Sequence, residues 1–326
     1  MSRPRILVIT PVRHIEGVAE LLEGIGEVTY LDDPTPDDVR KAIGRCEAVF
    51  TNPNRSNVFL GRELFDAAPR LKAICTASTG TTHIDLVEAS ARGIAVLSLT
   101  EERTVIDRIS STAELALGLM LASLRRIPEA ASSVRRGQWD YTAFIGRQLD
   151  HLTIGVVGYG RLGSRFAKYC QALGSRIVVY EPHHPVRDVG IRQVELEQLL
   201  TESDVMSLHA HATDETRGMV DRSWFARMKP SVLLVNTARG ELIHEADLID
   251  FLHAHPQARF AGDVIADETQ GKSRNPLVAL AKAEDRVLIT THIGGMTVEG
   301  QRIAYQHAAR RLKECFEDAL AGTGRP

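Results

Sequence analysis

The sequence of 326 residues has no excess of one charge: 39 basic side chains stand against 42 acidic ones, a formal net charge of −3. A dedicated nucleic-acid binder is usually basic, so no nucleic-acid partner is expected. Cysteine is scarce. Cys46, Cys75, Cys170 and Cys315 are the four, far apart and with no C-x-x-C pair. That spacing signals neither a disulfide framework nor a cysteine-based zinc site, and no metal is expected. Free thiols suit a reducing compartment, so the expected location is cytoplasmic, with the thiols as small buried side chains. Long apolar runs are also missing. The longest early one, Ile6-Leu7-Val8-Ile9, is broken by Thr10 and Pro11. A secretory signal needs about 7–15 apolar residues and a membrane span about 18 or more, so no membrane partner is expected. There is no tandem repeat and no low-complexity segment.

What remains has the composition of a folded chain, 44% apolar and 25% charged. A disordered chain carries fewer apolar residues or a larger net charge. Single cores stop growing at about 250–300 residues, so two domains are expected.

Short apolar runs punctuated by turns predict buried parallel strands at 5–10, 28–31, 48–51 and 71–75. Between them, Val18, Leu21, Leu22 and Ile25 fall at helical spacing, with Gly24 and Gly26 expected to stop that helix, and 37–44 reads as another short helix. Alternating strands and helices predict an open α/β sheet in the first hundred residues. Residues 110–126 form a long helical pattern that is apolar nearly all round and therefore expected to be buried. Ser110 or Ser111 is the expected cap, with Glu114 as capping-box partner. A second βαβ series follows, with strands at 152–157, 176–180, 204–208, 232–235, 260–263 and 287–290. The last helix is expected from about Thr297 to Ala321, with Ile303, Leu312, Phe316 and Leu320 as its apolar stripe and Gly322 and Gly324 ending it.

The segment Gly158-Tyr159-Gly160-Arg161-Leu162-Gly163 follows a strand and opens a helix, the context that makes G-x-G-x-x-G a dinucleotide signature. The first glycine allows the tight turn, the second lets a pyrophosphate approach the backbone, and the third lets helix and strand pack closely. The helix N-terminus supplies N–H groups and the positive end of a dipole. The next strand ends at Glu181, an acid able to accept from both ribose hydroxyls and to repel a 2′-phosphate. NAD is therefore the expected cofactor.

Three more segments end strands of the second series, the edge where open α/β sheets bind ligands. Asn236–Gly240, Gly262–Glu268 and Thr291–Gly295 offer a fixed cation, a carboxylate and an imidazole. With these in view the chain resembles the D-isomer-specific 2-hydroxyacid dehydrogenases over essentially its whole length. The matching pieces include Ser111–Glu114, Gly137-Gln138-Trp139, Ile154–Gly163, Met228-Lys229, Val235–Gly240 and His292–Gly295.

The resemblance implies that Arg239, Glu268 and His292 are catalytic and that the loop Ser78-Thr79-Gly80-Thr81 holds the substrate carboxylate through its N–H groups. Beyond the glycine loop and Glu181, it implies cofactor contacts at His209, Ala210, Thr237, Ala238, Asp263 and Gly294, with Asp263 facing the nicotinamide amide. The chemistry suits these types. A planar guanidinium can grip a carboxylate and a neighbouring keto oxygen together. An imidazolium can deliver the proton as charge develops on that oxygen, and a carboxylate beside it stabilises the charge and fixes the ring.

The family's path also implies a Rossmann-type NAD-binding domain, residues 104–296, inserted into a flavodoxin-like substrate domain, residues 1–103 plus 297–326. It implies a homodimer and a cleft between domains. Substrate identity is open: a short-form 3-phosphoglycerate dehydrogenase is the first expectation, a glyoxylate or hydroxypyruvate reductase the alternative. Arg55, Arg103 and Arg108 are candidates for an anionic substrate tail. Formate dehydrogenases resemble the same family but have glutamine where Glu268 stands. A non-catalytic NAD-sensing module, like the C-terminal-binding corepressors, is the reading from another class. The chain departs from the family at Thr269 and Thr291, where proline is frequent, and at His211.

Overall fold

The structure is a computed structural model that describes residues 3–53, 58–268 and 274–321, with side chains of the last helix described to Asp318. The chain folds into two compact units, Met1–Ile109 together with Gly295–Pro326, and Ser110–Gly294.

The first unit has a five-stranded parallel sheet: β1 Arg5–Val8, β2 Glu27–Tyr30, β3 Ala48–Thr51, β4 Ala73–Thr76 and β5 Ala95–Leu97. Their order is β2-β1-β3-β4-β5, the flavodoxin-like arrangement, so the connections reverse direction between β1 and β3. Strands β1, β3 and β4 are buried on both faces, as parallel strands covered by helices must be. Ile6 and Val8 point into one apolar layer and Leu7 into the other. The last helix, Val298–Ala321, closes the first of these layers with Ala304, Tyr305, Ala308, Ala309 and Leu312. The early helix Val18–Ile25 packs into the same layer, so chain segments nearly 300 residues apart share one core.

The second unit has seven parallel strands: β6 Thr153–Val157, β7 Arg176–Tyr180, β8 Ile191–Gln193, β9 Val205–Leu208, β10 Leu233–Asn236, β11 Arg259–Gly262 and β12 Val287–Ile289. The order β12-β11-β10-β9-β6-β7-β8 is doubly wound and reverses between β6 and β9. Period-2 alternation sorts the side chains: Ile177, Val179, Leu233 and Val235 face one layer, Val178 and Leu234 the other. The helix Ser111–Leu124 covers the first layer through Ala113, Ala116, Leu119 and Met120.

Several local readings are corrected. Gly24 lies inside its helix, which ends at Gly26. The capping box expected at Ser111 does not form: the helix begins after Ser110, whose hydroxyl donates to the Glu114 carboxylate, and Ser111 Oγ is buried without a partner. β4 starts two residues late because Leu71 N–H closes a turn onto Ala68 O. β5 and β8 were not anticipated. Gly322 and Gly324 lie outside the described residues, as does the side chain of Leu320. Among the described residues, no helix is long and apolar enough to cross a membrane.

Candidate active site

The glycine loop leaves β6 at the point where the second sheet's order reverses. Gly158 has φ +87, a left-handed conformation that favours glycine, and a Cβ there would lie 2.9 Å from His209 O. A Cβ on Gly163 would lie 2.0 Å from Gly158 O, so turn and helix pack backbone to backbone. At Gly160 a Cβ meets no atom within 4 Å. That open space sits at the start of the 12-residue helix Arg161–Ala172, where unpaired N–H groups and the dipole favour an anion. Leu162 packs onto the layer beneath.

Glu181 stands just past β7 and is 7% exposed. Its carboxylate accepts from Tyr159 N and His183 N, both at 2.9 Å, which leaves lone pairs for further donors. The Tyr159 phenol donates to Asp188 at 2.7 Å, and burial together with Asp188 pushes its pKa up. His209 directly follows β9, with Nε2 2.9 Å from Ser207 Oγ and its ring 5.1 Å from that of Phe166. Burial pushes its pKa down to about 3, so this imidazole is neutral. Ala210 and Ala238 pack at the edge of the adjoining apolar layer. Thr237 is buried, and its Oγ1 has no hydrogen-bond partner. An open cradle at a helix N-terminus, an acid on the next strand and an orphaned buried hydroxyl fit a dinucleotide.

Arg239 ends the turn after β10. Asn236, fully buried, shapes that turn by accepting from Ala238 N at 3.0 Å and donating to Arg239 O at 2.8 Å. The Arg239 guanidinium donates to Ala238 O at 2.6 Å. The next residue, Gly240, lies directly against the strand-end segment that leads to Glu268: a Cβ on it would be 2.0 Å from Ile265 C. Glu245 holds the same segment, accepting from Ala266 N and Asn275 Nδ2, both at 2.7 Å.

Glu268 and His292 are joined directly. His292 Nδ1 donates to Glu268 Oε2 at 2.6 Å, and Glu268 Oε1 accepts from Ile265 N at 3.1 Å. Both side chains are about one-quarter exposed, so the pair is reachable from outside. His292 has φ 57, a left-handed conformation that is uncommon for a side-chain-bearing residue. Asp263 sustains it. This carboxylate, 1% exposed, accepts from Ile293 N at 2.8 Å, Gly294 N at 2.7 Å and Thr290 Oγ1. Successive N–H groups after a left-handed residue form an anion-binding nest, here filled by Asp263.

The loop Ser78–Thr81 belongs to the first unit, at the end of β4. Ser78 Oγ donates to Gly80 O at 2.6 Å, and Thr79 O accepts from Thr100 Oγ1 at 2.9 Å. Among the described residues, no acceptor is paired with the N–H groups of Ser78, Thr79, Gly80 or Thr81. These four residues are partly exposed. Arg103 and Arg108 are exposed, while Arg55 and Thr269 lie outside the described residues.

Sequence reasoning missed Asn236, Glu245 and the structural task of Asp263. Asn at a strand end before a turn was the available signal for the first. Nothing local marks Glu245.

The family model described as "D-isomer specific 2-hydroxyacid dehydrogenase, NAD binding domain" matches residues 117–294. A D-3-phosphoglycerate dehydrogenase from Mycobacterium bovis is 36% identical over 300 residues, covering 91% of this chain and 53% of that protein. A hydroxypyruvate reductase from Thermotoga maritima is 35% identical over 267 residues, covering 82% of this chain and 83% of that one. The crystal structure of a D-lactate dehydrogenase from Aquifex aeolicus, complexed with NAD and lactic acid, aligns with a TM-score of 0.80 at 26% identity, covering 99% and 100% of the two chains. The chain spans about half the length of the phosphoglycerate dehydrogenases it matches.

Proposed function

The chain belongs to the D-isomer specific 2-hydroxyacid dehydrogenase family, and from that premise we propose that it interconverts a D-2-hydroxy acid and its 2-keto acid with NAD. The observation that carries the reading is the 2.6 Å bond between His292 Nδ1 and Glu268 Oε2. A carboxylate only accepts, so Nδ1 carries its proton in that bond and exchange with substrate falls to Nε2. NAD supplies the hydride acceptor and, reduced, the hydride donor. The protein does the rest. In the reductive direction protonated His292 delivers a proton to the oxygen on C2, and Glu268 stabilises the imidazolium until then. Arg239 grips the carboxylate and the C2 oxygen as a planar fork. The N–H groups of Ser78–Thr81 orient the carboxylate. In the oxidative direction neutral His292 is the base.

The unit Ser110–Gly294 holds the cofactor in this reading, and the unit completed by the last helix holds the substrate carboxylate. Gly158–Gly163 cradle the pyrophosphate. Glu181 takes the adenine-ribose hydroxyls, with NAD preferred to NADP. His209, Ala210, Thr237, Ala238 and Gly294 wall the remainder, and Asp263 both positions His292 and faces the nicotinamide amide.

The substrate is a small 2-keto or 2-hydroxy acid. The relatives named above support 3-phosphoglycerate chemistry, and the hydroxypyruvate reductase, matched over most of its length, favours the alternative without phosphate. Four unpaired thiols fit a cytoplasmic protein. A homodimer is part of the proposal. The segment from Ile127 to Ile145 exposes three large apolar side chains, Trp139 at 90%, Tyr141 at 80% and Ile145 at 74%, which a second copy of the chain would cover. Sedimentation equilibrium should give a dimer, and a monomer on introducing W139D and Y141D together; a monomeric wild-type chain contradicts this.

NADH oxidation with a panel of 2-keto acids tests the function. Turnover of at least one member is expected. Nucleotide binding with no turnover of any would favour the corepressor-like binding module.

A further inference from the structure

A doubly wound sheet opens a crevice beyond its strand ends where its order reverses. In the first unit that point lies between β1 and β3, and a cavity of about 240 Å³ occupies it. Thr10 and His14 line it from the end of β1, Asn52 from the end of β3, and Met296, Gln301 and Tyr305 from the lead-in and first turns of the last helix.

Two hydroxyls at this point, Thr10 Oγ1 and Thr51 Oγ1, are buried without a hydrogen-bond partner, on residues 1% and 0% exposed. A buried hydroxyl without a partner is destabilising, so a ligand group that pairs it is bound more tightly than one that cannot. Thr10 is the one of the two that lines the cavity. Thr10 and the buried Tyr305 both line the cavity, and Thr10 Oγ1 has no hydrogen-bond partner. A ligand hydroxyl between them can donate to one and accept from the other. Asn52 ties the cavity to the substrate loop, because its Nδ2 donates at 3.1 Å to the carbonyl of Ala77, the residue before Ser78.

Resting on the reading that Ser78–Thr81 hold the carboxylate of a 2-keto acid, we propose that this cavity receives the substituent on C3 and that Thr10 and Tyr305 select a neutral hydroxyl there. A methyl group in the same place leaves the buried Thr10 hydroxyl unpaired. A phosphate monoester brings nearly two negative charges, and among the described residues lining the cavity none carries a fixed positive charge.

Hydroxypyruvate and 2-oxobutanoate make the test, since they differ by a hydroxyl against a methyl of similar size. The wild-type chain should show a kcat/KM at least about tenfold higher for hydroxypyruvate. T10V, which removes only the hydroxyl, should bring the two substrates to within about twofold, T10S should retain the preference, and Y305F should move the ratio as T10V does. Because Thr10 Oγ1 makes no bond within the protein, T10V should unfold at a temperature no lower than the wild type. An unchanged ratio in both T10V and Y305F overturns the proposal. So does a tenfold preference for 3-phosphohydroxypyruvate over hydroxypyruvate. Turnover of both substrates with no preference overturns the selection alone and leaves the 2-keto-acid reading standing. No turnover of any keto acid, with NADH bound, removes that reading and this one with it.

Discussion

His83 is a histidine that the fold uses without its charge. It is 0% exposed, neither ring nitrogen has a hydrogen-bond partner, and burial pushes its pKa down to about 4. The unfolded chain would titrate this ring near about 6.5. Between those two values the unfolded state binds a proton that the folded state refuses. Stability therefore falls as pH falls from about 6.5 toward 4, by about 1.4 kcal/mol per pH unit for this residue. Above that window His83 contributes no pH dependence. Urea unfolding of H83L should show a flatter acid limb than the wild type, and equal slopes in the two proteins would contradict the assignment. The charged residues proposed for the site, Arg239, Glu268 and His292, stand out in the sequence because each sits at a fixed offset in a motif. Asn236 and Asp263 were not readable in the same depth. Their work is done on backbone N–H and C=O groups that only the folded turns bring within reach.

At the scale of the element, the segment between β11 and Glu268 holds the Glu268 carboxylate of the proposed site. It is gripped by Glu245 from one side and by the bare backbone of Gly240 from the other. A Cβ at Gly240 would meet three backbone atoms of Ile265 and Ala266 within 2.3 Å, and no side-chain rotation can relieve that. G240A should therefore displace the segment and the Glu268 carboxylate with it. Turnover should drop by at least about tenfold, the usual result when a catalytic group is misplaced. Steady-state kinetics on G240A check this; activity within twofold of wild type would mean that the segment is not what places Glu268. Most strands were legible from their apolar runs. β5 and β8 were not, because each has only three residues, β8 with two of them polar, and their strand character comes from pairing with β4 and β7. β4 was misplaced because Leu71 continues its apolar run while its backbone is already in a turn.

At the scale of the whole molecule, strand counting predicted two α/β sheets but not their order. Sheet order depends on which helix crosses which face, and apolar periodicity carries no such information. The flavodoxin-like and doubly wound orders were expected only through the resemblance, and both are present. The orders matter because each sheet's reversal point carries a proposed site: the glycine loop at β6 and β9, and the hydroxyl-lined cavity at β1 and β3. The unpaired hydroxyls of that cavity could not be foreseen, since whether a threonine finds a partner is settled by packing.

The claim on which the account rests is that His292, held by Glu268, exchanges the proton in a 2-keto-acid reduction. The most direct measurement is NADH oxidation with hydroxypyruvate by the wild-type chain and by H292Q, with NADH affinity measured on both. Turnover is expected in the wild type, with a loss of at least about a hundredfold in kcat for H292Q and an NADH affinity that differs little between them. An H292Q variant that turns over as fast as the wild type would contradict the claim.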